Sequence, residues 1–290
     1  MQTFLKDCRW GRFLLLRGDM ISAYADVYGE WSELEVSLYR RLLKPNSVVV
    51  EVGANLGLHT VPLAKITPSG YVICFEPQRP IFNILCGNLA LNNLINVDAH
   101  RVAVGARQEL VIIELTNYDT PWNYGAFSID AGFSGEGCFP GELTSDRTAV
   151  VVLDEFPQTA DLQHLDLLKV DAEGFELAVL HGAERLIART RPTLFVENNN
   201  PATGDNLIRY VRGLGYDCYW YCTARFSPDN YNGVDRSAPV VSNGVSWNPF
   251  GLDINMVCFP ASARPISGLP KVGTFDQIVH GGVPIVEKLS

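Results

Sequence analysis

Five apolar, strand-like runs in this sequence end in short turns, and four of those turns carry a carboxylate side chain. The turns span residues 51–57, 76–77, 104–105, 171–174 and 197–198. In an open α/β sheet, ligands bind beyond the carboxyl ends of the strands, at the point where the strand order reverses. We therefore expect these acids to share one crevice, where carboxylates accept hydrogen bonds from ligand hydroxyls or take up protons.

The turn at residues 51–57 has the composition of a ligand-binding loop. Gly53 and Gly57 let the backbone approach a ligand closely, and the helix that follows offers free N–H groups to a carboxylate or phosphate. The spacing G-x-x-x-G differs from the dinucleotide fingerprint G-x-G-x-x-G and from the phosphate loop G-x-x-x-x-G-K-[ST]. A helix cap or close helix packing would explain the same two glycines, so a structural role stays open.

Glu76 strengthens the ligand-binding interpretation. It ends the second strand, 19 residues after Gly57, where a carboxylate can accept hydrogen bonds from both ribose hydroxyls of a nucleoside. The alternative is a solvated carboxylate in the turn before Pro77. A ribose site without a pyrophosphate-binding glycine pattern indicates S-adenosylmethionine, with its amino-acid end at the glycine turn and its adenosine at the second strand.

An alternation of strands and helices must position these turns. Seven strand-like segments predict core strands, at residues 48–52, 71–75, about 97–104, 165–170, 193–196, 216–221 and 252–259. Helical patterns between several of them predict βαβ units with right-handed crossovers, and hence an α/β fold with a largely parallel sheet.

The same pattern predicts one main domain with additions. We expect an N-terminal hairpin and helix at 1–46, the main domain at 47–260 and a C-terminal extension at 261–290. The hairpin is predicted around 12–17 and 20–24, and Ser32 and Glu35 have the S-x-x-E spacing of a capping box for the next helix. Aromatic, loop-like insertions at about 115–148 and 222–251 are expected to be lids over the site.

Composition excludes several classes of protein. The 290 residues are 47% apolar and 19% charged, with a net charge of −9, so a folded core is expected and disorder is not. The acidic balance argues against nucleic acid or a membrane surface as partners. No apolar run approaches the ~20 residues of a spanning helix. The seven scattered cysteines and five histidines lack metal-ligand spacing, so we expect a cytoplasmic protein with reduced thiols and no metal site.

Taken together, the motifs resemble those of the FkbM-type methyltransferases, which are S-adenosylmethionine-dependent enzymes. The resemblance runs in order and with matching spacing from about Trp31 to Asn198. It is carried by Glu51-Val-Gly-Ala-Asn-Leu-Gly57, Phe75-Glu76-Pro77, Leu91-Asn92-Asn93, Asp171-Ala-Glu-Gly174 within 168–183, and Val196-Glu197. Glu51 departs from the family, which more often has Asp there. The resemblance implies a Rossmann-like, seven-stranded class I methyltransferase sheet, mostly parallel with an antiparallel final strand and helices on both faces.

The resemblance also implies roles for individual residues. The expected cofactor-binding residues are Glu51, Gly53, Ala54, Asn55, Gly57, His59 and Thr60 around the methionyl part, Glu76 and Pro77 at the ribose, Ala103 and Val104 beside the adenine, and Asp171 at the sulfonium. The candidate general bases are Asp171, Glu173, His59 and Glu197. Glu173 could equally be a structural carboxylate at a helix N-terminus. Glu33 could close the pocket or favour the first turn of its helix.

Methyl transfer from a sulfonium is an in-line displacement, which depends on holding the acceptor ~3 Å from the methyl group. A hydroxyl acceptor must also lose a proton, so a base in reach would contribute ~10²–10⁴-fold. The family includes enzymes that methylate sugar and polyketide hydroxyls, so we expect O-methylation of a small-molecule acceptor. A non-catalytic nucleoside-binding module and an NAD-dependent oxidoreductase on the same kind of sheet stay open, and the sequence does not indicate an oligomeric state.

Overall fold

The computed structural model describes residues 1–133 and 137–286. Its strands are β1 (Thr3–Cys8), β2 (Gly11–Leu16), β3 (Val48–Val52), β4 (Tyr71–Phe75), β5 (Val97–His100), β6 (Ala103–Val104), β7 (Glu109–Leu115), β8 (Thr144–Val151), β9 (Leu167–Val170), β10 (Thr193–Glu197), β11 (Tyr216–Ala224), β12 (Val240–Ser242), β13 (Val245–Trp247) and β14 (Leu252–Pro260). Its helices are α1 (Met20–Tyr28), α2 (Glu33–Leu42), α3 (Thr60–Ile66), α4 (Arg79–Leu91), α5 (Pro157–Ala160), α6 (Glu176–His181), α7 (Glu184–Thr190), α8 (Gly204–Gly213) and α9 (Asp276–Val279), with a 3₁₀ turn at Tyr124–Ala126.

A seven-stranded sheet forms the centre of the molecule, in the order β11-β14-β10-β9-β3-β4-β5. Strands β5, β4, β3, β9 and β10 pair in parallel, whereas β14 runs antiparallel to both of its neighbours, β10 and β11. The Rossmann-like sheet with an antiparallel final strand is therefore confirmed. The strand order reverses between β3 and β9, which places a ligand crevice at the carboxyl ends of these two strands.

Both faces of this sheet are covered, because its central strands are apolar on both sides. Val49 and Val72 pack among side chains of α2, α3 and α4. Val50 and Ile73 point the other way and pack among side chains of α6, α7 and α8. The alternation follows from the two-residue period of a strand, and it confirms the predicted helices on both faces.

The third core strand is shorter than predicted. Strand β5 ends at His100, and Ala103–Val104 leaves the central sheet to pair in parallel with β8 in a small sheet of order β6-β8-β7. The break falls at Arg101, whose guanidinium lies 3.1 Å from Asp146 of β8. The polar pair His100 and Arg101 interrupts the predicted run at this point, but it does not show that the following residues pair with β8.

The N-terminal region also differs from the expectation. The hairpin is β1 and β2, while residues 20–24 begin helix α1. Asp19 caps that helix by accepting a hydrogen bond from the Ser22 amide at 2.7 Å. The predicted capping box at Ser32 does not form, because Ser32 has left-handed backbone geometry (φ 41°) and its hydroxyl donates a hydrogen bond to Asp253.

The first insertion is largely packed against itself. Tyr118, Tyr124, Phe127, Phe133 and Phe139 form a buried cluster with Leu16 and with Ile81 and Ile84 of α4. The insertion also contains most of β8, which begins at Thr144. Residues 134–136 of this insertion and 287–290 of the C-terminal extension lie outside the described residues. None of the described helices is long and apolar enough to cross a membrane.

Candidate functional site

A cleft opens at the carboxyl ends of the central strands and encloses about 1100 Å³, including its open mouth. It brings together most of the residues singled out from the sequence. Those lining it are Glu51, Gly53, Ala54, Asn55, His59, Glu76, Pro77, Ala103, Val104, Asp171, Glu173 and Glu197. Thr60 and Gly57 do not line the cleft, although Thr60 donates its hydroxyl to Glu51, which does. Glu33 lies elsewhere and accepts a hydrogen bond from the Trp10 indole at 2.8 Å. Glu33 therefore does not close this cleft.

Glu76 is held with both carboxylate oxygens fixed. Oε2 accepts the Asn55 amide at 3.0 Å, and Oε1 accepts the Gln78 amide at 2.8 Å. Each oxygen keeps a further lone pair, and the side chain lines the cleft. Burial raises the pKa of Glu76 to about 7, although these two N–H groups oppose the rise. The arrangement suits a ligand that offers two neighbouring hydroxyl donors.

A buried charge cluster connects β3 to β9. Glu51 accepts a hydrogen bond from the Thr60 hydroxyl at 2.6 Å, and its other oxygen lies 3.6 Å from the ammonium of Lys169. Lys169 also donates to Asp171 at 3.1 Å. Burial raises the pKa of Glu51, and Lys169 opposes that rise. Burial alone would lower the pKa of Lys169, but Asp171, Glu51 and Glu35 outweigh it and raise that pKa. Lys169 therefore remains a cation.

Lys169 is a residue of the site that was not predicted from the sequence. The available signal was a lysine inside the otherwise apolar strand Leu167–Val170. Only the strand register shows its role, because Glu51 and Lys169 are directly paired neighbours on β3 and β9.

Gly53 is required by packing between the same two strand ends. Its backbone has φ 83°, and an added Cβ would overlap the backbone carbonyl oxygen of Asp171. The Asp171 backbone therefore excludes any side chain at this position, whether or not a ligand is bound. This geometry favours the packing interpretation of Gly53 that the sequence left open.

His59 brings a neutral imidazole to the cleft. It is 7% exposed, and its Nε2 atom has no hydrogen-bond partner within the described part of the chain. That atom lies 3.8 Å from a carboxylate oxygen of Glu35. Burial, helped by the positive charge of Lys169, holds the pKa of His59 well below its ordinary value. A neutral imidazole can accept a hydrogen bond or a proton.

The sequence pattern indicates a role for Glu35 only in a helix cap, yet the side chain lines the cleft. Its oxygens accept hydrogen bonds from the Tyr39 hydroxyl at 3.1 Å and the Asn255 amide at 2.9 Å. Burial, followed by the nearby carboxylate of Asp253, raises the pKa of Glu35. Helix α2 and strand β14 thus meet at the cleft, although 220 residues separate Glu35 from Asn255.

Another wall of the cleft combines an aromatic ring with an ion pair. Arg225 donates to Asp253 at 2.7 Å, and its guanidinium carbon lies 5.4 Å from the centre of the Trp31 ring. All three residues line the cleft. From the aromatic insertion at about 115–148, Phe127 and Ile129 reach the same cleft.

Three carboxylates lie together where β9 and β10 end. These are Asp171, Glu173 and Glu197. Each has a carboxylate oxygen that lies within 4.8 Å of an oxygen of the other two. Burial, and next the charges of Glu173 and Asp171, raise the pKa of Glu197 well above its ordinary value. The candidate bases predicted at the strand ends are thus close to one another, and His59 lines the same cleft.

Comparison with known proteins places the chain in a family. The model of the methyltransferase FkbM domain matches residues 51–218. Methyltransferase 1 of Beauveria bassiana (strain ARSEF 2860) is 28% identical over 149 residues, which cover 48% of this chain and 59% of that protein. Methyltransferase sdnD of Sordaria araneosa is 28% identical over 164 residues, which cover 49% of this chain and 62% of that protein. The chain therefore matches about six-tenths of the length of these two curated relatives.

Among solved structures, methyltransferase FkbM from Methylobacillus flagellatus KT is similar with a TM-score of 0.45 at 17% identity, covering 76% of this chain and 47% of that chain. The family match rests on the sequence, and it extends from Glu51 near the end of β3 to Cys218 in β11. Because the family model covers more than half of the 290 residues, the chain belongs to the methyltransferase FkbM domain family.

Proposed function

We propose that this protein is an S-adenosylmethionine-dependent methyltransferase that methylates a hydroxyl group of a sugar or another small natural product. The observation that carries the proposal is the fixed pair of Glu76 oxygens at the end of β4, in a cleft of a chain that belongs to a methyltransferase family.

The residues of the cleft fit the cofactor in chemistry and in charge. Glu76 offers two acceptor atoms to the ribose hydroxyls, and the small apolar residues Ala103 and Val104 offer a surface for the adenine. Among the described residues lining the cleft, seven are carboxylic acids (Glu35, Glu51, Glu76, Asp171, Glu173, Glu197 and Asp253) and two, Lys169 and Arg225, are always cationic. This excess of acid favours a ligand with a sulfonium and an ammonium group.

The glycine turn would bind the methionyl part of the cofactor. The Asn55 amide is directed to Glu76 and the Gly53 amide to the Phe75 carbonyl, so the turn has one defined shape. Glu51 and Lys169 hold the turn from behind, and Asp171 lies at the rim beside them. When bound, the cofactor supplies an activated methyl group, and these residues fix its position.

The acceptor would enter between Trp31 and the strand ends. The face of an aromatic ring suits a sugar ring, while Asn255 and the Arg225–Asp253 pair offer donors and acceptors to hydroxyl groups. The candidate bases are Asp171, Glu173, Glu197 and His59. Burial keeps the His59 imidazole neutral and able to accept a hydrogen bond, but its lowered pKa makes it a weak proton acceptor.

Calorimetry with the full chain separates the proposed cofactor from its alternative. We expect S-adenosylmethionine and S-adenosylhomocysteine to bind and NAD not to bind. Binding of NAD alone would instead support an oxidoreductase.

Methyl transfer needs a second experiment. The protein is incubated with tritiated S-adenosylmethionine and a panel of sugars and other hydroxylated small molecules, and labelled products are separated. Transfer to a hydroxyl oxygen supports O-methylation. Cofactor binding without transfer to any member of a broad extract-derived panel would favour a nucleoside-binding module.

A further inference from the structure

The side chain of Gln78 connects the turn after β4 to the aromatic insertion. Gln78 is 3% exposed and lines the cleft. Its backbone amide donates to Oε1 of Glu76 at 2.8 Å. Its side-chain amide donates to the Tyr124 carbonyl at 3.1 Å, and its side-chain oxygen accepts the Tyr118 hydroxyl at 3.1 Å. One buried residue therefore holds both the Glu76 carboxylate and two points of the insertion.

The backbone at Tyr118 is unusual for an aromatic residue. Its φ angle is 57°, in the left-handed region that bulky side chains rarely adopt. The ring is 1% exposed, and its centre lies 4.7 Å from the centre of the Tyr124 ring. Such a conformation persists only where the surrounding contacts fix it. In this chain, those contacts place the Tyr118 hydroxyl against Gln78.

The insertion also packs on the segment that supplies the second hydrogen bond to Glu76. Phe127 belongs to a buried cluster with Leu56 of the glycine turn. Gly125 lies so close to Asn55 that an added Cβ would be 3.2 Å from the side-chain nitrogen of Asn55. The backbone amide of Asn55 donates to Oε2 of Glu76 at 3.0 Å. Both amides that fix Glu76 therefore come from residues that lie against the insertion.

We propose that Gln78 is a positioning residue for the cofactor, through which the aromatic insertion fixes the Glu76 carboxylate that receives the ribose hydroxyls. The inference deepens the proposed function and rests on it. Two hydroxyl groups gain most from acceptor oxygens that are already held in place, because less side-chain freedom is lost on binding. Residues 118–129 then belong to the cofactor site, whereas Trp31 and Arg225, assigned above to the acceptor, come from other elements.

Coupling of this kind is reciprocal. If the insertion favours cofactor binding through Gln78, the bound cofactor must stabilise the insertion by the same free energy. S-adenosylmethionine should therefore slow the hydrogen exchange of backbone amides in residues 118–129.

Two substitutions remove the link with little change in shape. Gln78→Met keeps the length of the side chain but cannot donate to the Tyr124 carbonyl, and Tyr118→Phe removes only the hydroxyl. Calorimetry should show S-adenosylmethionine binding at least ~5-fold more weakly to Gln78→Met and ~3-fold more weakly to Tyr118→Phe, within the range of one neutral hydrogen bond. S-adenosylhomocysteine has the same ribose and should lose affinity by the same factors.

Tyr210→Phe is the matched control, because the Tyr210 hydroxyl donates to Glu184 and neither residue lines the cleft. It should leave the affinity unchanged. The double variant then separates coupling from a general loss of packing. If the Tyr118 hydroxyl acts through Gln78, Tyr118→Phe should have no further effect in the Gln78→Met protein, whereas independent losses would multiply to ~15-fold.

Urea unfolding checks that each variant is folded, and hydrogen exchange is followed by mass spectrometry. Cofactor-dependent protection of residues 118–129 should be present in the wild type and lost in Gln78→Met. Should Gln78→Met fail to fold, Tyr118→Phe decides alone, and wild-type affinity in that variant would refute the positioning role.

The inference and the proposed function fail in different ways. Wild-type affinity in Gln78→Met, or losses that multiply in the double variant, would refute the role of Gln78 and leave the cofactor assignment standing. Binding without any protection of residues 118–129 would remove the insertion from the cofactor site. A wild type that binds neither S-adenosylmethionine nor S-adenosylhomocysteine would overturn the proposed function and this inference together.

Discussion

Replacing Glu76 by glutamine tests the cofactor site most directly. In the wild type, the two carboxylate oxygens accept hydrogen bonds from the Asn55 and Gln78 amides. Glutamine keeps the size of the side chain but puts an NH₂ donor against one of these N–H groups. It also offers only one acceptor oxygen to a ribose. We expect S-adenosylmethionine to bind about 1–3 kcal/mol more weakly, a loss of roughly 5–150-fold.

The pH dependence makes this prediction sharper. Burial raises the pKa of Glu76 to about 7 in the empty protein, while hydroxyl donors bind the ionised carboxylate best. With such a pKa, the ionised fraction rises from roughly one-tenth at pH 6 to roughly nine-tenths at pH 8. If the ligand binds the ionised form, affinity should rise about tenfold over this range, or about 1.4 kcal/mol.

Calorimetry at pH 6, 7 and 8 measures both effects. Ionisation of the ligand itself affects wild type and Glu76→Gln equally, so the difference between the two proteins isolates Glu76. The wild type should gain affinity with pH relative to the variant. Equal affinities at pH 8, or parallel pH profiles in the two proteins, would refute the ribose assignment.

Three further predictions concern the protein without ligand. Gly53→Ala should lower the free energy of unfolding by more than about 2 kcal/mol, because the added Cβ overlaps the Asp171 carbonyl. The control Gly213→Ala should not lower it, because a Cβ at Gly213 would have no atom within 4 Å. Equal urea unfolding curves for the two variants would contradict the packing role of Gly53. Lys169→Met should lower the free energy of unfolding by about 3–5 kcal/mol, because it leaves buried carboxylates uncompensated. The control Lys271→Met, which removes an exposed ion pair, should have a much smaller effect. Burial raises the pKa of Glu76 and Glu33 to about 7 and that of Asp19 to about 6. The stability that protonation of these groups contributes is complete below about pH 4 and is lost as the pH rises through 6–7, so urea unfolding should show a lower free energy of unfolding at pH 8 than at pH 5. A free energy of unfolding that stays constant or rises with pH would contradict this prediction.

The fold could be predicted because its signals are local. Each central strand is a short apolar run, and the rule that ligands bind at strand ends identified acids that the folded chain brings into one cleft. Helix α1 was missed because Asp19, its cap, was not recognised as a start signal. Strand β5 is shorter than predicted because the polar pair His100 and Arg101 does not by itself show that the next residues pair with β8.

The rest of the site could not be predicted, because it depends on which segments meet. Glu35, Arg225, Asp253 and Asn255 come from helix α2, from the chain just after β11 and from strand β14, and no motif joins them. The aromatic insertion was also misjudged in part, since most of its rings fill their own buried cluster and only Phe127 among them lines the cleft. Apolar composition indicated that the insertion is ordered, but the direction of each ring is set by long-range packing.

The charges of the cleft explain why the empty protein is expected to weaken as the pH rises. Seven acids and two permanent cations line it within the described residues, and burial raises the pKa of Glu35, Glu51, Glu76 and Glu197. The empty cleft therefore lowers its negative charge by holding protons, at a cost that grows with pH. The sulfonium or the ammonium group of a bound ligand would supply the missing positive charge instead. Binding and stability are thus linked at the same carboxylates: ligands that replace these protons should stabilise the folded chain most strongly at the higher pH, where the empty cleft is least stable.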